Sequence, residues 1–265
     1  MKSKSAKDPL MVQSVERAFR VLEAFDAGHP ALSLTQLAAA IDLDKSAAQR
    51  FTHTLTRLGY LVKDPDTKRF ALSARALDLG ARFTQSSPLV GRAMPYLLHL
   101  SKMTEETVNL TVLDGTSIVF VSRFMSRHVL NTDTVIGGRM PAYCTASGIA
   151  IMSRMERDRV AAILDASDLR PHTPHTCWKR PELLRKIELS GSRGYATAFE
   201  EYFYGDLSIA APVLGADGLA AGAINVAVST ARYSSQEVEE KFAPLVVATA
   251  LSISVPTGGI SHIRT

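Results

Sequence analysis

A chain of 265 residues with 46% hydrophobic and 21% charged residues has the balance of a globular protein of two ordinary domains, which excludes a disordered, collagen-like or low-complexity chain. The net charge is +4, and all of it falls in the first third: residues 1–85 hold 13 basic and 9 acidic side chains, and residues 86–265 hold 17 of each. Charge alone leaves two readings open, a phosphate-binding module joined to a neutral body or a surface that is merely solvated.

From Val15 the apolar positions Val15, Ala18, Leu22 and Phe25 recur at spacings of three and four, which predicts an amphipathic helix ended by Gly28 and Pro30. Ser33-Leu-Thr-Gln36 has the capping-box form, and Leu34, Leu37, Ala38 and Ile41 mark the buried face of a short second helix. Asp44 caps a third helix, whose stripe Ala48, Phe51, Leu55 and Leu58 runs until Gly59 stops it. Tyr60 to Val62 and Arg69 to Leu72 read as the strands of a hairpin around the turn Asp64-Pro-Asp-Thr67. Helical spacing returns from Ala74 to Phe83, Gln85-Ser-Ser-Pro88 marks the end of the first module, and another helix is expected from Leu89 to about Met103.

Beyond it, Val108 to Asp114 and Ile118 to Val121 predict two strands joined at Asp114-Gly115. Val129-Leu130, Leu207 to Val213 and Leu219 to Val228 add strands, the last two joined by Gly215-Ala-Asp-Gly218. Helices are expected over Ala146 to Met155, Asp158 to Asp165, Pro181 to Ser190 and Ser235 to about Ile253. Strands and helices in separated runs indicate an α+β fold with a largely antiparallel sheet.

The order helix, short helix, tight turn, helix, hairpin is that of a winged helix-turn-helix. If the third helix buries its apolar stripe, then Lys45, Ser46, Gln49, Arg50, His53 and Arg57 project outward. These are donors of the kind that meet base edges and phosphates in a major groove. Gln49 and Arg50 are assigned to base edges, and Lys45, Ser46 and Arg57 to phosphates. Lys68 and Arg69 at the hairpin tip form a wing, and Lys2, Lys4 and Lys7 a flexible arm. The competing reading is an exposed helix with solubilising charge. It is weakened by the capped short helix, the tight turn and the basic hairpin tip that accompany the third helix.

Other groups resemble chemical sites less well. His172, His175 and Cys177 crowd into Pro171-His-Thr-Pro-His-Thr-Cys177, but their spacing fits no standard zinc pattern and suits a Pro-rich loop. Ser147 and Cys144 precede a helix without a Gly-x-Ser-x-Gly setting, and Glu200-Glu201, read on a strand, would point to opposite faces. No phosphate-cradling Gly-x-x-x-x-Gly-Lys occurs. The loop from Gly137 to Gly148 runs into a helix start, where Ala146 and Ser147 either receive the anionic end of a small ligand or belong to a plain capped helix. The longest weakly polar run, Pro244 to Val255, is far short of the roughly 20 residues of a membrane span. Neither a secretory signal nor a disulfide framework is expected, so the reading is a cytoplasmic protein without membrane, cofactor or metal.

With these segments in view, the sequence resembles the IclR family of transcriptional regulators. The matching stretches are Val12-Gln-Ser-Val-Glu-Arg-Ala18, Leu32-Ser-Leu-Thr-Gln-Leu-Ala38, Leu58-Gly-Tyr-Leu61, Asp64-Pro-Asp-Thr67, Glu106-Thr-Val-Asn-Leu110, Val112-Leu-Asp-Gly115, Met140-Pro-Ala-Tyr-Cys-Thr-Ala-Ser-Gly148, Arg193-Gly-Tyr195 and Ala210-Ala-Pro-Val213. The resemblance implies a winged helix-turn-helix over 11–73, a linker helix over 74–87 and a GAF/profilin-like effector-binding domain over 88–265. It also implies a dimer or dimer of dimers on double-stranded operator DNA, controlled by a small organic or aromatic acid. Carried over position by position, the effector contacts fall on Ala146 and Ser147, on Ser208 where many members have Cys, and on Asn225 and Ala227. Ala198 stands where many relatives have Asp, and Ala47 where a hydroxyl residue is common in the recognition helix. The aromatics of Tyr202-Phe-Tyr-Gly-Asp206 either favour an aromatic ligand or pack the core. The rival readings are a ligand-processing enzyme with a helical appendage and a protein-interaction module.

Overall fold

The computed structural model describes residues 10–127 and 134–256. Its internal contacts divide the chain into two units between Phe83 and Thr84.

In the first unit, α1 (Gln13–Glu23), α2 (Leu34–Ala40) and α3 (Lys45–Arg57) precede a hairpin of β1 (Leu61–Lys63) and β2 (Phe70–Leu72), and a 3-10 turn at Ala74–Ala76 then opens α4 (Leu77–Ser86), within which the boundary falls. The caps are the anticipated ones. Gln36 N–H donates to Ser33 Oγ at 3.3 Å while Ser33 N–H donates to Gln36 Oε1 at 2.9 Å. Asp44 Oδ1 accepts from Ala47 N–H at 2.8 Å, so each helix start has a donor satisfied locally. Val21, Leu32, Leu37, Ile41, Leu55, Leu61 and Phe70 form the core between the helices and the hairpin.

Three details of the expected stripes are corrected. Val15 and Leu58 are exposed, and α1 stops at Glu23, with Asp26 instead bridging back from the N–H of His29 at 2.7 Å. Thr52, not assigned to the core, is buried because its hydroxyl donates to Ala48 O at 3.0 Å within its own helix, leaving only a methyl to pack. Gly59 takes φ +83°, the left-handed conformation that ends α3.

The second unit is a six-stranded sheet, all antiparallel, built from β3 (Thr107–Asp114), β4 (Ser117–Phe124), β5 (Arg139–Pro141), β6 (Ala196–Phe199), β7 (Asp206–Leu214) and β8 (Ala220–Ser229), in the order β5-β4-β3-β8-β7-β6. β5 and β6 were not expected: at three and four residues they are too short to carry a period-two signal. Val129-Leu130 lies outside the described residues.

The alternation along the strands decides what covers each face. Val108, Leu110, Val121, Ile209, Ile224 and Val226 pack with α5 (Pro88–Thr104) and α9 (Ser235–Ile253). Ile118, Phe120, Ala210 and Ala223 face α6 (Ala146–Met152), α7 (Arg157–Ala166) and α8 (Arg180–Arg193). The second face carries small residues, and so leaves room above the sheet. No described helix is long and apolar enough to cross a membrane.

Candidate functional site

On α3, Ala48, Thr52 and Leu55 are buried, and Phe51 is half-buried. Their opposite face is therefore fixed outward, and Lys45, Ser46, Gln49, Arg50, His53 and Arg57 are all exposed along it. Ala47 is half-buried, its N–H held by Asp44.

The hairpin tip is more constrained than its sequence implied. Asp64 Oδ1 accepts from Asp66 N–H at 2.9 Å and Thr67 N–H at 2.6 Å, and the Thr67 hydrogen bond holds the carboxyl below its ordinary range. Lys68, at φ +58°, folds its ammonium onto Pro65 O. Arg69 reaches Ala31 O at 3.1 Å and Gln36 Oε1 at 3.3 Å, tying the hairpin to the start of α2. Both side chains stay exposed, but each already has an intramolecular acceptor.

In the second unit, Ala146, Ser147, Ser208, Asn225 and Ala227 line one cavity that opens to solvent. Register builds its floor. Asn109 lies opposite Arg123 on one side and Asn225 on the other, and Thr107, Ala227, Ser208 and Ala198 form the next row. Arg123 donates from Nη1 to Asn109 Oδ1 at 3.3 Å, and Asn225 donates from Nδ2 to Ser208 Oγ at 3.0 Å. The buried Asn225 Oδ1 has no hydrogen-bond partner, an uncompensated acceptor that an occupant can satisfy.

The roof comes from the Thr145-Ala-Ser-Gly148 turn. α6 is only seven residues long and Thr145 Oγ1 already accepts from Gly148 N–H at 3.3 Å, so the turn is a capped helix start, and its contribution to the cavity is the buried side chains of Ala146 and Ser147. Gly148 is required there, because a Cβ would lie 2.1 Å from Ala142 O.

Sequence reasoning gave Arg123, Asn109 and Asp206 no role at the site and set Glu201 aside, yet all four line the cavity, together with Tyr202 and Phe203, for which an aromatic ligand was one of two readings. Burial pushes the Asp206 carboxyl up to about 7 against the opposing pull of Arg123. Glu200 and Glu201 do not sit on a strand: they follow β6, with Glu200 at φ +54°. Glu200 Oε1 accepts from Gly205 N–H at 2.8 Å, whereas Glu201 turns inward, where it pairs with Lys186 and accepts from Cys177 N–H at 3.1 Å. The His/Cys-rich loop has a structural part here. Thr173 and Thr176 donate to the carbonyls of Glu200 and Glu201, and His172 packs on Tyr202 with ring centroids 4.6 Å apart. Among the described residues no three His, Cys, Asp or Glu side chains gather as a metal site. Desolvation raises the Cys144 thiol to about 12, which keeps it from acting as a thiolate nucleophile.

A helix-turn-helix with an outward basic face and a roofed, polar-floored cavity in a separate unit match two family models: the IclR helix-turn-helix domain over residues 14–65 and the bacterial transcriptional regulator IclR C-terminal domain over 81–255. The chain belongs to the IclR family. It is therefore a DNA-binding transcriptional regulator. The Pca regulon regulatory protein of Pseudomonas putida is 30% identical over 92% of this chain and 83% of its own length. A solved structure from Rhodococcus sp. RHA1 shares 33% identity and a TM-score of 0.82, covering 92% of this chain and 97% of that one. An IclR homolog from Microbacterium hydrocarbonoxydans, solved with 4-hydroxybenzoate, has the same fold at 20% identity and a TM-score of 0.76, covering 91% of this chain and 97% of that one. Curated IclR-family relatives include a repressor and an activator, and they are regulators, not enzymes.

Proposed function

We propose that this IclR-family chain acts in the cytoplasm as a homodimer, or a dimer of dimers, that sets two α3 helices into successive major grooves of a near-palindromic operator, roughly 34 Å apart. Gln49 and Arg50 read base edges, Lys45, Ser46, His53 and Arg57 hold phosphates, and Lys68 and Arg69 track the backbone once they exchange their internal acceptors for phosphate oxygens. Residues 11–73 form the DNA-binding domain, 74–87 the linker and 88–265 the effector domain. The observation that carries the reading is the alignment of six exposed donors opposite one buried stripe on α3. Self-association is supported by Val12 at the N-cap of α1 and Val15 and Phe19 on the helix, all of which stand exposed.

The effector is a small organic acid of the 4-hydroxybenzoate kind, held among Ala146, Ser147, Ser208, Asn225 and Ala227. Its hydroxyl satisfies the orphaned Asn225 amide oxygen. It regulates by binding one arrangement of the DNA-binding domains more tightly than another, since equal affinity would shift nothing.

The test is retention of the full chain on DNA flanking its own gene, across a salt series, with and without 4-hydroxybenzoate. Affinity is expected to fall steeply with salt and to change with the acid in the wild type but not in Ala227→Leu, which fills the cavity. Salt-independent binding, or none, would refute the DNA-contact assignment.

A further inference from the structure

We propose that Ser208 gives the cavity floor its polarity: its hydroxyl oxygen accepts one N–H of the Asn225 amide and so turns the amide carbonyl to the occupant, which must then present a hydrogen-bond donor. The proposal rests on the effector reading above and adds to it a positioning residue and a narrower ligand class, acids that carry an N–H or O–H donor at the end away from the carboxylate.

The placement comes from register. Asn225 on β8 lies opposite Ala210 on β7 and Asn109 on β3, and Ser208, two residues before Ala210, shares its face of the sheet. That diagonal brings Asn225 Nδ2 to 3.0 Å from Ser208 Oγ. Ala227 and Ala198, the cross-strand neighbours of Ser208, offer no competing polar side chain. Asn225 is 5% exposed and Ser208 8%, and both line the cavity. Asn225 Oδ1 is the end left without a hydrogen-bond partner.

The two ends of an amide have nearly the same shape and opposite hydrogen-bonding chemistry, so packing alone cannot choose which of them faces a cavity. A hydrogen bond to one end does. With the nitrogen held by Ser208, the end that meets the occupant only accepts. It pairs with an O–H or N–H, gains nothing from a fluorine or a carbonyl, and repels a carboxylate, which is itself acceptor-only. A carboxylic acid therefore enters with its other end towards Asn225. Without the Ser208 oxygen the amide is free to turn, and either end can meet the occupant.

Calorimetry on the full chain with 4-aminobenzoate, 4-fluorobenzoate and 4-formylbenzoate, whose para groups are a donor, a near-inert group and an acceptor, tests this. The wild type is expected to bind 4-aminobenzoate at least about fivefold more tightly than either of the others. In Ser208→Ala the amino and formyl acids should bind equally, within about twofold, both ahead of the fluoro acid, because the freed amide serves either. A mere packing defect would weaken all of them in parallel and keep the wild-type ratio. In Asn225→Leu the ranking should vanish. Wild-type binding of the formyl acid as tight as that of the amino acid analogue 4-aminobenzoate, a wild-type ratio kept in Ser208→Ala, or a ranking that survives in Asn225→Leu overturns the proposal. If no probe binds the wild type, the effector reading has failed, and the pair is judged by NMR of the ligand-free full chain. A nuclear Overhauser contact between the Asn225 Hδ2 and Ser208 Hβ protons sustains it, and the absence of that contact overturns it.

Discussion

The donors of α3 stand within 13 consecutive residues and share one direction because a single helical stripe is buried beneath them. The polar groups of the cavity come from four strands, the segments between them and the start of α6, from Thr107 to Asn225, and share a direction only because the strands are paired in one register. The first surface has few internal partners to lose, whereas the second is held by cross-strand hydrogen bonds, a glycine with no space for a Cβ and a carboxyl poised by burial. Substitutions in the two regions should therefore fail differently, in binding on α3 and in stability or proton linkage around the cavity.

The largest effect expected is that of Asp206→Asn on stability. The folded chain holds this carboxyl at about 7, against an ordinary value of 3.8. The protonated form thus favours folding below about pH 4, and that contribution is lost as pH rises towards 7. Asn removes the loss, so the variant should match the wild type at pH 4 and exceed it at pH 8 by up to about 4 kcal/mol, as read by urea unfolding at the two pH values. A gain of the same size at both would show that burial of the charge is not the cause.

Gly148→Ala should destabilise by about 1–3 kcal/mol, because its Cβ would meet the Ala142 carbonyl at 2.1 Å and the roof must shift. Thermal or urea unfolding of the full chain checks this, and an unchanged midpoint would mean that the turn yields freely. On α3 the pattern reverses: Arg50→Ala should weaken operator binding by about 1–3 kcal/mol, some 5- to 150-fold, with stability altered by less than about 0.5 kcal/mol. Equal losses of binding and stability would place Arg50 in the fold rather than at the interface. The smallest change expected is Asp44→Ala, about 1 kcal/mol, because only one capping hydrogen bond, to Ala47 N–H, disappears.

Much of the first unit was legible because its signals are local. Ser33 and Gln36 are three residues apart, Asp44 and Ala47 likewise, and Gly59 ends α3 by its own backbone conformation. Where local pattern misled, a neighbour decided: Thr52 is buried since its hydroxyl has a carbonyl within its own helix, and Arg69 is held by Ala31 and Gln36 at the start of α2. In the second unit the long strands could be read from their alternation, but β5 and β6 could not. The five effector positions carried over from the family motifs line one cavity, while Arg123 had no motif to mark it and Asp206 stood only at the end of an aromatic-rich loop.

The sequence by itself determined the helices, their caps, the outward face of α3 and the family, because helix periodicity and capping act over three or four residues and are written in adjacent letters. Tertiary structure alone decided that Arg123 and Asp206 flank a common floor, that Glu201 turns inward to Lys186 while Glu200 does not, and that a carboxyl at the edge of β7 is poised near neutrality. Strand register and burial join residues a hundred positions apart, and a side chain's proton affinity follows from the dielectric and charges that this packing brings around it.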